Sequence, residues 1–137
     1  MSRSKQKGTA FERAIADYLA EQMSDDRIDR APLAGAKDKG DISGVVSPFG
    51  RVVLELKNHN RQELAVWVDE AEVERGNADA LVGVVVHKRR GKGQPGDQYV
   101  TLTVDGLVKL LGGPLKLATP PVDESLPQPI DLWDGTA

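Results

Sequence analysis

Residues 40–57 read Gly-Asp-Ile-Ser-Gly-Val-Val-Ser-Pro-Phe-Gly-Arg-Val-Val-Leu-Glu-Leu-Lys, and the fold turns on this stretch. Ile42, Val45 and Val46 predict a strand that tolerates Gly44, Ser47-Pro48-Phe49-Gly50 is turn chemistry, and Val52, Val53, Leu54 and Leu56 predict a second strand. Side chains alternate along a strand, so Glu55 and Lys57 share one face while Leu54 and Leu56 take the other. A strand with apolar residues on both faces belongs inside a sheet. Charges at the end of such a strand demand a reason, and Asp41 on the strand before it suggests one: a metal site.

Upstream, Phe11, Ile15, Tyr18, Leu19 and Met23 recur at helical spacing, which predicts a helix capped by Thr9 and running to about Met23, after a loose basic segment at 1–8. Glu12 falls in its first turn, where an acid favours the helix dipole. Ser24 to Asp29 reads as a turn and Arg30 to Leu33 as a short extended segment. The small, basic run Ala34-Gly-Ala-Lys-Asp-Lys-Gly40 is a loop that delivers the chain to Asp41. Downstream, a helix is expected from about Gln62 to Arg75, with Leu64, Trp67, Val68 and Ala71 as its apolar stripe. Asp69, Glu70, Glu72 and Glu74 should lie largely on its other side, and Gly76-Asn77 should end it. Trp67, on the stripe, reads as core more than as a stacking surface. A strand follows at 81–86, apolar on both faces and ending in His87 and Lys88. A basic, glycine-rich loop at 88–98, a strand at 99–104 and a short helix at 105–111 complete the pattern.

The length of 137 residues suits about one domain. Cysteine is absent and histidine is limited to His59 and His87, which excludes disulfides, thiolate metal sites and a cysteine nucleophile. No apolar run approaches the length of a membrane span, and the N-terminus lacks the apolar segment of a signal peptide, so a cytoplasmic protein with no membrane partner is expected. The net charge of −3 argues against a nucleic-acid partner, but its distribution does not. The last 21 residues hold four acids and no Lys or Arg, leaving 18 basic and 17 acidic side chains before them. The bases cluster at Arg3, Lys5 and Lys7, at Lys37 and Lys39, and at Lys88, Arg89, Arg90 and Lys92, where ends and loops can meet phosphate. Residues 114–137 contain five of the eight prolines and read as an acidic, flexible tail after a domain at 1–113.

Asp41 and Glu55 supply two carboxylates and Leu56 a backbone carbonyl, the hard oxygen ligands that Mg²⁺ takes. Such an ion polarises a phosphodiester and activates water, and the Lys57 ammonium would orient the nucleophile or offset developing charge. Taken alone, Glu-x-Lys is a common surface pair.

Lys7-Gly-Thr-Ala-Phe-Glu12-Arg13, then Lys39-Gly-Asp41-Ile, then Val53-Leu-Glu55-Leu-Lys57 resembles the PD-(D/E)XK nuclease superfamily, in particular archaeal-type Holliday junction resolvases and related phage resolvases. The likeness covers roughly residues 5–90. It implies an α/β fold in which a mixed central sheet is flanked by helices in the order α-β-β-β-α-β. It implies a Mg²⁺-dependent endonuclease, with Mn²⁺ able to substitute, that cuts branched DNA as a homodimer, in the host cytoplasm if phage-encoded. Glu12, Asp41, Glu55 and Lys57 match the catalytic positions, and Arg13 and Lys88 match basic residues of relatives. With Lys7, Lys37, Lys39, Arg89 and Arg90, these two are the candidate DNA contacts; a helix-surface ion pair for Arg13 and a solvated loop charge for Lys88 are the plain alternatives. The chain departs from relatives in lacking a serine in the loop before Asp41 and in having Gly40 where the superfamily's name-giving proline stands. His59, two residues beyond Lys57, reads as a solvated loop histidine. Gln128-Pro-Ile-Asp-Leu-Trp133 resembles the short peptides that dock on bacterial sliding clamps. A restriction-like or repair nuclease, or a DNA-binding module without turnover, would share these features.

Overall fold

The computed structural model describes residues 2–32 and 37–113. The tail at 114–137 and its clamp-like peptide lie outside the described residues, as do Leu33 and most of the loop before Lys37. Within that frame the chain runs α1 (Arg3–Gln22), β1 (Asp29–Arg30), β2 (Ile42–Ser43), β3 (Val46–Ser47), β4 (Gly50–Lys57), α2 (Leu64–Ala78), β5 (Val82–His87), β6 (Tyr99–Thr101) and α3 (Val104–Leu110). The sheet order is β1-β2-β4-β5-β6, with β3 paired to β4. β4 and β5 are parallel, linked by the α2 crossover, and the other pairings are antiparallel. This is the mixed, helix-flanked α/β sheet expected from the sequence.

The two parallel strands form the centre. Leu54 and Leu56 of β4 and Val84 and Val86 of β5 pack with Phe11, Ile15 and Ala16 of α1. On the opposite face, Val85 packs with Trp67 and Ala71 of α2, and Val53 with Ala78 and Ala80. Period-two alternation therefore sorts β4 into an α1 face and an α2 face, and Glu55 and Lys57 fall on the α2 face. No helix among the described residues is long and apolar enough to cross a membrane.

Several boundaries differ from the sequence reading, each for a local reason. The first helix begins at Arg3, capped by Ser2, whose hydroxyl accepts the Lys5 N–H. Thr9 thus lies inside the helix and residues 3–8 are helical, not loose. The expected strand at 42–46 is divided at Gly44 into β2 and β3. Helix α2 passes through Gly76-Asn77 and ends at Ala78, with Asp79 in the left-handed conformation as its cap. The extra turn extends the buried stripe Trp67, Ala71, Glu74 and Ala78, so Glu74 lies inside the fold and not on the outer side of the helix. The last strand stops at Thr101, since Thr103 caps α3 through the Gly106 N–H.

Helix α2 crosses β5 at Gly83, where an added Cβ would lie 2.5 Å from the Ala71 carbonyl oxygen. Both elements are backbone there and neither can rotate away. Gly83→Ala is expected to destabilise the fold by about 1–3 kcal/mol, the usual cost of overpacking, measured as a drop in the urea midpoint at unchanged m-value. Wild-type stability in that variant would contradict the packing described.

Candidate metal centre and basic surface

Gly40 positions the first acid. Its φ of +102° is open to glycine, and a Cβ there would sit 2.8 Å from a Val53 methyl and 3.1 Å from the Leu54 carbonyl oxygen. This close approach lets the Asp41 N–H donate to the Leu54 carbonyl at 2.9 Å. The backbone then turns away, and the Asp41 carboxylate takes over the edge of β4: Oδ2 accepts the Leu56 N–H at 2.7 Å. A strand residue presents its N–H and C=O to one side, so the Leu56 carbonyl faces this edge as well.

Glu55 is only 7% exposed. Its Oε1 pairs with Lys57 Nζ at 3.3 Å, as the shared face predicts, while its Oε2 is buried with no hydrogen-bond partner among the described residues. Lys57 makes a shorter contact, 2.6 Å, to Glu70 Oε2 of α2. Burial alone would lower the lysine's pKa; the contacts with Glu70 and Glu55 outweigh it and hold it above its ordinary value. The ammonium is therefore charged and aimed by two acids. Asp41 is pushed up to about 7, first by burial and then by the Glu55 charge, against the Leu56 hydrogen bond, which favours the ionised form.

Glu12 approaches from the α1 side. Its charge contributes to raising Asp41, but its Oε2 is engaged by Arg30, at 3.1 Å from both Nε and Nη2. The structure thus brings Asp41, Glu55 and Lys57 together, with Glu12 beside them under an arginine clasp. Three neighbours were not read from the sequence as parts of the site. Glu74 is 7% exposed with Oε2 unpartnered, and burial followed by interaction with Glu55 raises its pKa. Asp38 accepts the Gly40 N–H, and its backbone carbonyl accepts from Asn77 of α2. Glu70 holds Lys57. The signal for Glu74 was its place seven residues after Trp67, on the same helical stripe.

The basic residues divide into three groups. Lys7, His59, Asn60, Gln62, Lys88 and Arg90 line one depression beyond the C-terminal ends of β4 and β5. There Lys7 donates to Asn60, and Lys88 donates to the carbonyls of Arg89 and Lys92, which ties down the loop. Arg89 lies over the Tyr99 ring at 5.3 Å. Lys37 and Lys39 are exposed beside the loop that carries Asp38. Arg13 is on the exposed side of α1, paired with Asp17 at 3.2 Å and Asp29 at 2.8 Å, so it takes the ion-pair alternative. Trp67 is core, 4% exposed, and its ring is 5.7 Å from both His59 and His87. His87 is buried, its Nε2 2.7 Å from Thr101 Oγ1, and burial lowers its pKa.

Compared with models of known protein families, with curated proteins and with solved structures, the chain matches none.

The raised acids give a pH test. Asp41 keeps its proton in the folded chain up to about pH 7 but loses it near 3.8 when unfolded, so the folded state binds more protons across that window. Stability is then fully present below about pH 4 and is lost as pH rises through 7, and the raised Glu74 adds a loss of the same sign. In EDTA the melting temperature of wild type should fall relative to that of Asp41→Asn between pH 5 and 8; His87, whose lowered pKa makes stability rise with pH over the same window, contributes equally to both proteins. Melting temperatures of wild type and Asp41→Asn that run parallel over this range would contradict the raised, buried carboxyl of Asp41.

Proposed function

We propose that this protein is a divalent-cation-dependent endonuclease that acts on branched DNA. The observation that carries the reading is the buried Glu55 carboxylate, which has one oxygen on the Lys57 ammonium and the other without a partner, next to an Asp41 pinned to the same strand. A buried acid oxygen left unpaired costs about 1–3 kcal/mol or more, so its persistence calls for a cation to complete it. Asp41, Glu55 and the Leu56 carbonyl form an all-oxygen set that fits Mg²⁺, with Mn²⁺ as a substitute. When bound, the ion would polarise a phosphodiester and lower the pKa of an attacking water.

The remaining work falls to this chain's own side chains. Lys57, held by Glu70 and Glu55, presents a fixed positive charge where negative charge develops on phosphate oxygens, and it can orient a water by hydrogen bonding. Glu12, through its charge and its Arg30 clasp, positions the approach to Asp41. Lys7, Lys88 and Arg90 supply the phosphate-facing surface beyond the ends of β4 and β5, with Arg89, Lys37 and Lys39 at its margins. Arg13 would join them only by releasing Asp17 and Asp29. A preference for four-way junctions, a homodimer that places two such centres on one junction, and action in a cytoplasm rest on the resemblance to junction resolvases.

The test is cleavage of labelled four-way junction, flap and linear duplex in Mg²⁺ by wild type, Lys57→Ala and Glu55→Gln. Wild type is expected to cut the junction, and each variant to lose about 10²–10³-fold in single-turnover rate while still binding it. Equal cutting of flap or linear duplex would replace the junction reading with a repair or restriction-like one. Tight binding without any cut by wild type would leave a DNA-binding module.

A further inference from the structure

Two further acids of the same neighbourhood, Glu74 and Asp38, stand outside the set of Asp41, Glu55 and Lys57. Glu74 comes from the buried stripe of α2, and Asp38 from the loop before Gly40. One oxygen of each, together with one of Glu55, lies within 4.8 Å of the other two. Among the described residues neither Glu55 Oε2 nor Glu74 Oε2 has a hydrogen-bond partner, although both residues are only 7% exposed. Two carboxylates so placed cannot both ionise unless a positive charge lies between them. Lys57 does not serve, because its contacts are to Glu55 Oε1 and Glu70.

A proton or a metal ion can occupy that place. One shared proton satisfies two oxygens and leaves Asp38, whose Oδ1 accepts the Gly40 N–H, outside the pair. A divalent ion uses all three, and the half-buried Asp38 leaves a route for the ion and its waters. The loop bearing Asp38 is also held for such a role, by the Gly40 N–H on Oδ1 and by Asn77 on its carbonyl, both at 2.9 Å. The ligand set is oxygen only, which suits Mg²⁺, Mn²⁺ or Ca²⁺ and not a thiolate- or imidazole-seeking metal.

We infer that Asp38, Glu55 and Glu74 form a second divalent-cation site that shares Glu55 with the Asp41 centre. Its role at a transferring phosphate rests on the nuclease reading; the binding itself does not. A second ion in a phosphodiester-cleaving site neutralises charge on the oxygen opposite the attacking one.

The experiment is a Mn²⁺ titration of the full chain followed by electron paramagnetic resonance of the free ion, near neutral pH, with circular dichroism as the check on folding. Wild type is expected to bind two ions. Glu74→Gln and Asp38→Asn should each keep the first and weaken the second by about tenfold or more, as loss of a supporting ligand does. Asp41→Asn should weaken the other ion. If Glu74→Gln proves unfolded, Asp38→Asn, which alters a half-buried loop residue, decides alone. Wild-type stoichiometry and affinity in a folded Glu74→Gln and in Asp38→Asn would overturn the second site. A wild type that binds a single ion, lost in Asp41→Asn and kept in the other two variants, overturns the second site and leaves the nuclease reading standing. No binding by any of these proteins would remove both.

Discussion

A carboxylate in the middle of an α/β sandwich is the constraint on which the rest of this molecule depends. β4 is covered by α1 on one face and α2 on the other, and its residues from Val53 to Leu56 are all buried. Glu55 is one of them, and water cannot solvate it there. An ionised carboxylate costs far more than one hydrogen bond to bury alone, so neighbouring positions must answer it. Lys57 is the nearest answer, supplied by alternation two residues along the strand. Glu70 then fixes Lys57, and Gly40 brings Asp41 to the edge of the strand. The acids Glu12, Asp38, Asp41, Glu55, Glu70 and Glu74 gather around the cations Arg30 and Lys57, and burial, with this crowding, raises the pKa of Asp41 and of Glu74.

Basic residues gather at the C-terminal ends of the parallel strands. Lys57 pairs in register with His87, and the Lys88 N–H donates to the Lys57 carbonyl, so the acidic centre and the basic loop are joined by one ladder. Ligands of open α/β sheets bind beyond the carboxyl ends of their strands, and here those ends carry Lys88 and, across the depression, Lys7 of α1. The rings of Trp67, His87 and Tyr99 follow one another at 5.7 and 5.5 Å, with Arg89 over the last. This packed row anchors the start of the basic loop to α2 and gives the basic surface a firm base.

Much of this was legible in the sequence because alternation and helical spacing are local. The pairing of Glu55 with Lys57, the buried character of β4 and β5, and the approach of Asp41 follow from period two and one glycine-rich loop. What stayed hidden depends on tertiary context. Arg30 meets Glu12 across 18 positions, and no local pattern links an arginine after a turn to an acid on a preceding helix. Glu74 looks like one of several surface acids until α2 is known to run past Gly76, which keeps its stripe buried for another turn. Residues 3–8 are polar enough to read as loose, yet Ser2 caps them into α1 and so carries Lys7 to the far side of the depression from Lys88. Arg13 shows the reverse, since its likeness to a basic position of the resolvases that the sequence resembles carries no information about Asp29, with which it pairs.

The divalent-cation centre proposed for the end of β4 stands on Asp41 and Glu55 together. Its most direct test is a crystal of the protein grown with Mn²⁺, with data collected at the manganese absorption edge. An anomalous difference peak is expected within bonding distance of an Asp41 oxygen and a Glu55 oxygen. A fully ordered site without such a peak, with both carboxylates bonded only to protein groups at saturating Mn²⁺, would contradict it.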